Sequence, residues 1–512
     1  FNYAEPPSPY WIRSTPETNY PRLKEDIHAD VAVVGGGMVG ITCAYLLARE
    51  GLKVAILEAD RILQGTTGHT TAKVTSQHAL IYDKLTTQMG QEKARQYAEA
   101  NENAIQFIAD TVAEKKIDCD FTRRPAYVYT QSDSYIQQIE NEEKAASELG
   151  IKASVVHELP LPFRIRAALR FDGQAQFHPL KYLKALVKVL PDSCRIFEQT
   201  RAINIEEGNS AAVITNQGKK VVASKVVIAS HYPFFDGGGM YFARMYPSRS
   251  YVTGITIAEK FPEGMFISAE DPTHSLRSQP LEDEELILVG GEDHKTGQSK
   301  NTGVHYDNLL RFAHDTFEVR EVKYRWSTQD YITLDGVPYV GNLTAKHPNL
   351  YVATGFAKWG MTNGTAAAMI IRDLIIRGDS PWKEVYAPSR FNAASAANFV
   401  VTNVDVAKHL VAGKLKPAED MEDLPPGEAR IVIIDGDKVG AFRDDQGILH
   451  LVDITCTHMG CELSWNEAER SWDCPCHGSR FTCEGDIIEG PALSKLHHPG
   501  EGPNQVEPNV IQ

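Results

Sequence analysis

The sequence predicts an α/β domain, a second domain built on an antiparallel sheet (α+β), and an all-β module at the C-terminal end. Residues 30–58 read as a β-α-β unit, with an apolar strand, a helical pattern and another apolar strand. A long amphipathic helix is predicted at 91–116, and alternating apolar residues at 126–129 and 251–255 indicate the antiparallel sheet. From residue 426 onward the pattern is β-rich.

Length and composition exclude several classes of protein. At 512 residues the chain is too long for one ordinary core, and no apolar run approaches the roughly 18 residues that a transmembrane helix needs. The net charge of −15 repels phosphate backbones and argues against nucleic-acid binding. Residues 1–7 show no leader pattern, so we expect a cytoplasmic location.

Clustered cysteines and histidines near the C-terminal end indicate a metal site. The segment 456–461 reads CTHMGC, twelve residues separate it from CPCHGS at 474–479, and GPA follows at 490–492. Two cysteines and two histidines also suit tetrahedral Zn²⁺. Zinc alone, however, explains neither the second cysteine pair nor the glycines beside the ligands.

This double motif resembles the Rieske family. The resemblance implies a [2Fe–2S] cluster in which Cys456 and Cys474 hold one iron while His458 and His477 hold the other. Neutral imidazoles in place of two thiolates remove negative charge from one iron and raise its reduction potential. A structural zinc site remains the alternative interpretation.

Other residues of the module follow or depart from the family pattern. The resemblance implies a disulfide bond between Cys461 and Cys476, and a hydrogen bond from Ser479 to a cluster sulfide. Phe481 stands where quinol-oxidising relatives carry Tyr, so one donor is missing and we expect a lower potential than theirs. Cys483 lies outside the motif and is interpreted as an inert core thiol.

A glycine-rich turn predicts a dinucleotide site in the α/β domain. Gly35, Gly37 and Gly40 form G-x-G-x-x-G between a strand and a helix, and Glu58 ends the next strand. Glycines permit the tight turn and a close approach to a pyrophosphate, while the acid accepts hydrogen bonds from a ribose. A turn without ligand is the alternative, and the fingerprint does not separate FAD from NAD.

Three further segments resemble the D-amino-acid oxidase and sarcosine oxidase superfamily. They are GTTGHTTA at 65–72, DGVPYVG at 335–341 and ATGFAKWGMT at 353–362. The resemblance covers about residues 28–380 and implies a Rossmann-like FAD-binding domain. Besides the glycines and Glu58, the residues expected at the FAD are Met38, Val39, Ala59, Thr67, Thr70, Thr71, Ala72, Ser230, Gly355, Gly360, Met361 and Thr362.

These assignments divide the chain into two domains and a linker. Residues 1–385 are expected to form the flavin domain, 386–425 the linker and 426–512 the Rieske domain. Within the flavin domain, the segments that bind FAD are expected at about 28–80, 200–235 and 330–380. The segments of the substrate domain are expected at about 81–199 and 236–329.

The catalytic residues are not defined by the sequence, and four candidates come from position alone. His69 is either a point of covalent flavin attachment or a histidine that lines the flavin pocket. Arg249 is either the ligand of a substrate carboxylate or a surface arginine. His231 and Lys358 are expected near the flavin.

The combination of flavin and cluster predicts an enzyme. We expect a flavin-dependent dehydrogenase that oxidises an amino acid or secondary amine and passes electrons through the cluster to an unknown external acceptor. A ring-oxygenase component would need a 2-His-1-carboxylate site, for which Asp405 with His409 and His305 with His314 lack a third ligand. A non-catalytic redox sensor or electron-transfer protein is the other alternative.

Overall fold

A mostly parallel sheet organises the first part of the chain, in a computed structural model that describes residues 6–390, 393–415 and 424–499. Its parallel strands pair in the order Cys194–Phe197, Val54–Leu57, Ile27–Val34, Lys220–Ile228 and Leu350–Thr354. Antiparallel strands at its margin are Ala202–Glu206, Ala211–Thr215 and Tyr339–Asn342. The central strands are apolar on both faces because each face is covered.

A second sheet of eight strands forms the substrate side of the same part of the chain. Its strands follow the order Val319–Thr333, Met245–Ile257, Glu285–Lys295, His274–Pro280, Met265–Ser268, Ala126–Thr130, Ala167–Phe171 and Ala153–Val156. All neighbours are antiparallel except Met265–Ser268 and Ala126–Thr130, which are parallel. A small third sheet contains Lys73–Val74, Ala175–Gln176 and Thr122–Arg123.

Helices cover these sheets. The α-helices are Tyr10–Arg13, Met38–Arg49, Tyr82–Met89, Gln91–Lys115, Ile136–Glu148, Pro179–Lys188, Tyr241–Arg244, Gly303–Thr316, Gly360–Arg377, Lys383–Tyr386 and Ala393–Leu415, and the 3₁₀-helices are Thr66–His69 and Asp133–Tyr135. Two of them, Met38–Arg49 and Gly360–Arg377, pack together on one face of the parallel sheet. Across the described residues, no helix is both long and apolar enough to span a membrane.

The C-terminal module is built from two antiparallel sheets. One contains Ala429–Ile434, Asp437–Arg443 and Leu449–Asp453, and the other Ser464–Asn466, Ser471–Asp473, Arg480–Phe481 and Ile487–Glu489. Cys456 and Cys474 lie in its core beside the buried Trp472 and Phe481. The predicted fold class, an α/β domain with an antiparallel-sheet domain and an all-β module, is therefore confirmed.

The interval 386–425 contains regular structure as well as irregular chain. The helix Ala393–Leu415 occupies much of it, including the alanine-rich stretch interpreted as part of a linker. Most of the proline-flanked stretch 417–426 lies outside the described residues. Before that helix, Arg390 forms a bidentate ion pair with Asp335, at 2.8 Å for both Nε–Oδ2 and Nη2–Oδ1. Residues just after 385 thus pack with the flavin domain.

Breaking this buried ion pair should destabilise the flavin domain. Both side chains are at most 4% exposed, and burial alone would raise the pKa of Asp335, but Arg390 outweighs it and lowers that pKa. Arg390→Met should lower the free energy of unfolding at pH 7 by about 3–5 kcal/mol, because the buried Asp335 carboxylate loses its positively charged partner. The loss should shrink as pH falls below the ordinary Asp pKa, since Asp335 is then protonated upon unfolding.

Denaturant unfolding measured at pH 7 and at pH 3 tests this expectation. Arg377→Met is the matched control, because Arg377 is 67% exposed and lies 3.9 Å from Asp373. It should change the stability by less than about 1 kcal/mol. An equal effect of both variants would contradict the importance of the Arg390–Asp335 pair.

Candidate active site and cluster-binding site

The glycine-rich turn leaves no room for side chains. Gly35 has φ +109°, and a Cβ atom placed on it would lie 2.3 Å from the carbonyl oxygen of Ala229. A Cβ on Gly40 would lie 1.8 Å from the carbonyl oxygen of Gly35. The helix Met38–Arg49 begins directly after the turn, so its free N–H groups and positive end face the same place. This cradle fits a pyrophosphate.

Glu58 lies beside the turn at the end of the strand Val54–Leu57. Its Oε2 accepts a hydrogen bond from the N–H of Gly36 at 2.8 Å, and its Oε1 accepts one from the N–H of Asp60 at 3.0 Å. Burial raises its pKa, and the two N–H groups oppose that rise. The carboxyl group is therefore held in the position that ribose binding requires.

A cavity of about 1370 Å³ extends from this turn to the second sheet. Predicted FAD residues that line it are Gly35, Gly37, Met38, Val39, Glu58, Ala59, Thr67, Thr70, Thr71, Ser230, Gly360 and Met361. The C-terminal module closes part of it with residues 487–493. The cavity exceeds the usual size of a small-ligand pocket, as a site for a dinucleotide together with a substrate must.

Four predicted FAD residues do not line the cavity, and the structure places them behind its wall. Gly40 packs on the glycine turn, and Gly355 approaches Thr333 so closely that an added Cβ would lie 2.4 Å from Cγ2. The carbonyl oxygen of Ala72 accepts a hydrogen bond from Arg277. The hydroxyl of Thr362 donates to the carbonyl oxygen of Thr75 at 2.8 Å. Each of these residues shapes the loops around the cavity.

Three of the four catalytic candidates line the cavity. His69 Nδ1 is hydrogen-bonded to the carbonyl oxygen of Gly65 at 2.8 Å, and burial lowers its pKa. His231 Nε2 bonds to the carbonyl oxygen of Gln329 at 3.0 Å, and burial lowers its pKa too. Lys358 also lines the cavity, but its ammonium group is paired with the carboxylate of Asp293.

Arg249 is placed differently from both sequence interpretations. It is 1% exposed, so it is no surface arginine, and it is not part of the cavity wall. Its Nη1 donates to Ser327 Oγ at 2.5 Å, and its Nη2 pairs with Glu489 Oε2 at 2.8 Å. The partner comes from the C-terminal module, so Arg249 joins the two parts of the chain.

Sequence patterns missed two ionisable residues in the cavity wall. Asp330 is buried on the strand Val319–Thr333; burial raises its pKa to about 7, and Lys358 opposes the rise. Lys73 bonds to Ser275 Oγ at 2.7 Å, and burial lowers its pKa to about 7. Neither belongs to a motif, and only the cavity brings them together.

The N-terminal lead-in also belongs to this site. Residues 6–9 line the cavity, and the N–H of Ser8 donates to the carbonyl oxygen of Arg325 at 2.8 Å. Trp11 is fully buried, and its Nε1 donates to the carbonyl oxygen of Thr70 at 2.6 Å. The lead-in therefore packs over the loop that the flavin motif contributes.

The four predicted cluster ligands lie together in two loops of the module. The rings of His458 and His477 are 5.1 Å apart and perpendicular, and burial lowers both pKa values into the range of about 3 to 4. The Nδ1 atoms of both histidines are buried and have no hydrogen-bond partner among the described residues. Neutral imidazoles with free nitrogens are what metal ligation needs.

The thiols form a second pair beside the histidines. The Cys456 thiol contacts that of Cys474, and this contact together with backbone N–H groups holds the pKa of Cys456 at about 7. The four ligand atoms do not lie within 4.8 Å of one another as one tetrahedral set would. A thiol pair next to an imidazole pair fits two irons better than one zinc ion.

The surroundings of these ligands match the family pattern in part. The predicted disulfide bond between Cys461 and Cys476 is present. Ser479 Oγ accepts from the N–H of Ala492 at 3.0 Å and contacts Cys456, which leaves its own proton for a sulfur. Cys483 is half-buried beside Glu484, so it does not sit in the core as expected.

The module docks with its ligand loops against the flavin domain. Gly478 has φ +80°, and a Cβ on it would lie 2.5 Å from Pro247. The carbonyl oxygen of Gly478 accepts from Gln329 Nε2 at 2.8 Å. The ring of His458 faces Tyr232 at 6.1 Å. Cluster site and flavin cavity are therefore adjacent.

The FAD dependent oxidoreductase family matches residues 30–374 of this chain, and the Rieske [2Fe-2S] domain family matches residues 414–500. The chain belongs to the FAD dependent oxidoreductase family and carries a Rieske domain. It therefore binds FAD in the first part and a [2Fe–2S] cluster in the second.

Individual relatives agree with this assignment. The chain is 45% identical to the Rieske 2Fe-2S iron-sulfur protein YhfW of Bacillus subtilis, over 96% of this chain and 97% of the relative. Gamma-glutamylputrescine oxidoreductase of Escherichia coli is 25% identical, over 71% and 87%. Glycine oxidase from Geobacillus kaustophilus has the same fold in its solved structure, with a TM-score of 0.61, 17% identity and coverage of 71% and 99%.

Replacing one cluster ligand should remove iron and leave flavin. Cys474→Ser is expected to lower the iron content from two per chain towards zero, because its thiolate is predicted to hold one iron, whereas the glycine-rich turn predicted to bind FAD lies in the other domain. Cys483→Ser is the control, since that thiol lies outside the ligand loops. Iron, zinc and flavin are measured in the purified proteins. Zinc without iron in the parent protein would contradict the cluster assignment.

Proposed function

We propose that the protein is a dehydrogenase that oxidises the C–N bond of an amino acid or secondary amine. The electrons then pass from FAD to the Rieske cluster and on to an external acceptor. FAD supplies two-electron chemistry and the cluster one-electron chemistry. The observation that carries this proposal is the shared cavity, whose wall contains both the glycine-rich turn and residues 487–493 of the Rieske module.

The ionisable residues of the cavity suit an amine. Asp330 lies next to Lys358, which itself pairs with Asp293 at 2.9 Å. An amine that binds as a cation must lose a proton before its C–H bond can yield a hydride, and a carboxyl group with a pKa near 7 accepts a proton at neutral pH. We assign this role to Asp330, and we assign to Lys73 the binding of a substrate carboxylate.

Two other functions have less support. For a ring oxygenase, Asp405 would have to bind iron, but it pairs with Lys295 at 2.8 Å. A redox sensor without substrate turnover has no need for ionisable groups in a cavity of this size. The names of two similar proteins, gamma-glutamylputrescine oxidoreductase and glycine oxidase, support the choice of a nitrogen-bearing substrate.

Anaerobic mixing tests the proposal directly. The purified protein is mixed with a panel of amino acids and N-methylated amines, and flavin and cluster absorbance are followed together. A suitable amine should bleach the flavin first and then the Rieske bands, because electrons enter at the flavin. If no amine bleaches the flavin while a protein donor reduces the cluster, the dehydrogenase proposal is wrong.

The role of Asp330 predicts a pH-dependent defect. In Asp330→Asn, the rate of flavin reduction by the amine should fall by about 10²-fold at pH 8, where the parent carboxyl group is ionised. At pH 5.5 the parent carboxyl group is already protonated, so the two proteins should converge. Stopped-flow absorbance gives both rates, and Asp307→Asn, on an exposed helix surface, is the control. Parallel pH profiles would exclude Asp330 as the base.

A further inference from the structure

Tyr331 connects the flavin cavity with the cluster ligands. It lies on the strand Val319–Thr333 and is part of the cavity wall. Its hydroxyl group donates towards the carbonyl oxygen of His477 at 3.0 Å and that of Gly490 at 2.9 Å. One side chain thus touches both the flavin cavity and the backbone of a cluster ligand.

A second set of contacts leads from the same residue to the other histidine. The ring of Tyr331 lies 5.1 Å from that of Tyr232, which in turn lies 6.1 Å from that of His458. Both sets therefore end on the two histidines that the Rieske pattern assigns to one iron. That iron carries less negative charge than the thiolate-bound one and is the favourable place for an added electron.

We propose that Tyr331 is the residue that couples the flavin site to the cluster, and that its hydroxyl group provides the hydrogen-bonded route for single electrons. The inference rests on the proposed function and adds the residue that joins its two halves. Each passage moves one electron from reduced FAD to the oxidised cluster, and the protons of the reduced flavin are released to water in the cavity as the flavin is reoxidised. No bond in the protein forms or breaks. The external acceptor takes up two electrons, one at a time, for each amine oxidised.

The hydroxyl group of Tyr331 is held by hydrogen bonds on more than one side. Gln329 Nε2 donates to its oxygen at 3.3 Å, so the hydroxyl group is held from both sides. A fixed hydroxyl group therefore bridges the gap between the two sites.

Docking of the module does not depend on this hydroxyl group alone. The ion pair between Arg249 and Glu489, at 2.8 Å, and the hydrogen bond from Gln329 to Gly478, at 2.8 Å, hold the same interface. Tyr331→Phe should therefore leave the module docked while it removes the bonded route. This separates a coupling role from a purely structural one.

Light-driven reduction of the flavin tests the proposal without any amine. The holoprotein is flashed anaerobically with a deazaflavin sensitiser, and the rate of cluster reduction after flavin reduction is recorded. Tyr331→Phe should slow this step by about tenfold or more, a change of only ~1.4 kcal/mol in activation free energy. Tyr232→Phe, which keeps its ring against His458, is the matched control and should react at nearly the parent rate.

Hydrogen–deuterium exchange of residues 474–493 supplies a readout that does not depend on electron transfer. Exchange in Tyr331→Phe should match the parent, whereas Arg249→Met, which loses the interdomain ion pair, should exchange faster. An unchanged transfer rate in Tyr331→Phe overturns the proposal. The proposal is also overturned if Tyr331→Phe transfers electrons more slowly but exchanges as fast as Arg249→Met, because the slower rate would then result from lost docking. Absence of cluster reduction in the parent overturns the relay itself, whatever any amine does to the flavin.

Discussion

A partly buried negative charge on Glu489 holds the two parts of the molecule in one arrangement. Its carboxylate lies between Arg249 of the flavin domain, at 2.8 Å, and Arg480 of the Rieske module, at 3.0 Å. Burial opposes ionisation, yet the two arginines keep the pKa of Glu489 at about 2. Undocking the module would separate Arg249 from Glu489. Each charge would then need water or another charged partner, because an unpaired charge is costly to bury.

This docking completes the flavin cavity. The residues around Glu489, from 487 to 493, close a wall that the flavin domain lacks by itself. In this arrangement His477 is buried and the ring of His458 lies beside that of Tyr232. Meanwhile Met459, next to the ligand His458, remains 41% exposed. The arrangement brings the histidine side of the cluster site to the flavin and leaves another part of the ligand loop facing solvent.

The chemistry of the cavity follows from what surrounds its ionisable groups. Burial raises the pKa of Asp330 and lowers the pKa of Lys73, so that both pKa values lie at about 7. Such groups exchange protons near physiological pH at little cost. Arg249, by contrast, lies outside the cavity wall and pairs with Glu489. Arg249 thus stabilises the contact between the two parts of the chain, whereas Asp330 and Lys73 line the cavity.

The sequence by itself determined the features that depend on local spacing. The glycine turn, Glu58 and the four cluster ligands each lie within a short motif, because a tight turn or a metal loop needs its residues close together in the chain. Several strands and the long helix predicted at 91–116 also followed from apolar periodicity, whereas the helix Ala393–Leu415 lies in the stretch predicted to be a linker. Only the tertiary structure decided where Arg249, Asp330 and Tyr331 lie and what they contact. Their partners lie up to 240 residues away, and no periodicity or spacing encodes a contact across two independently built domains.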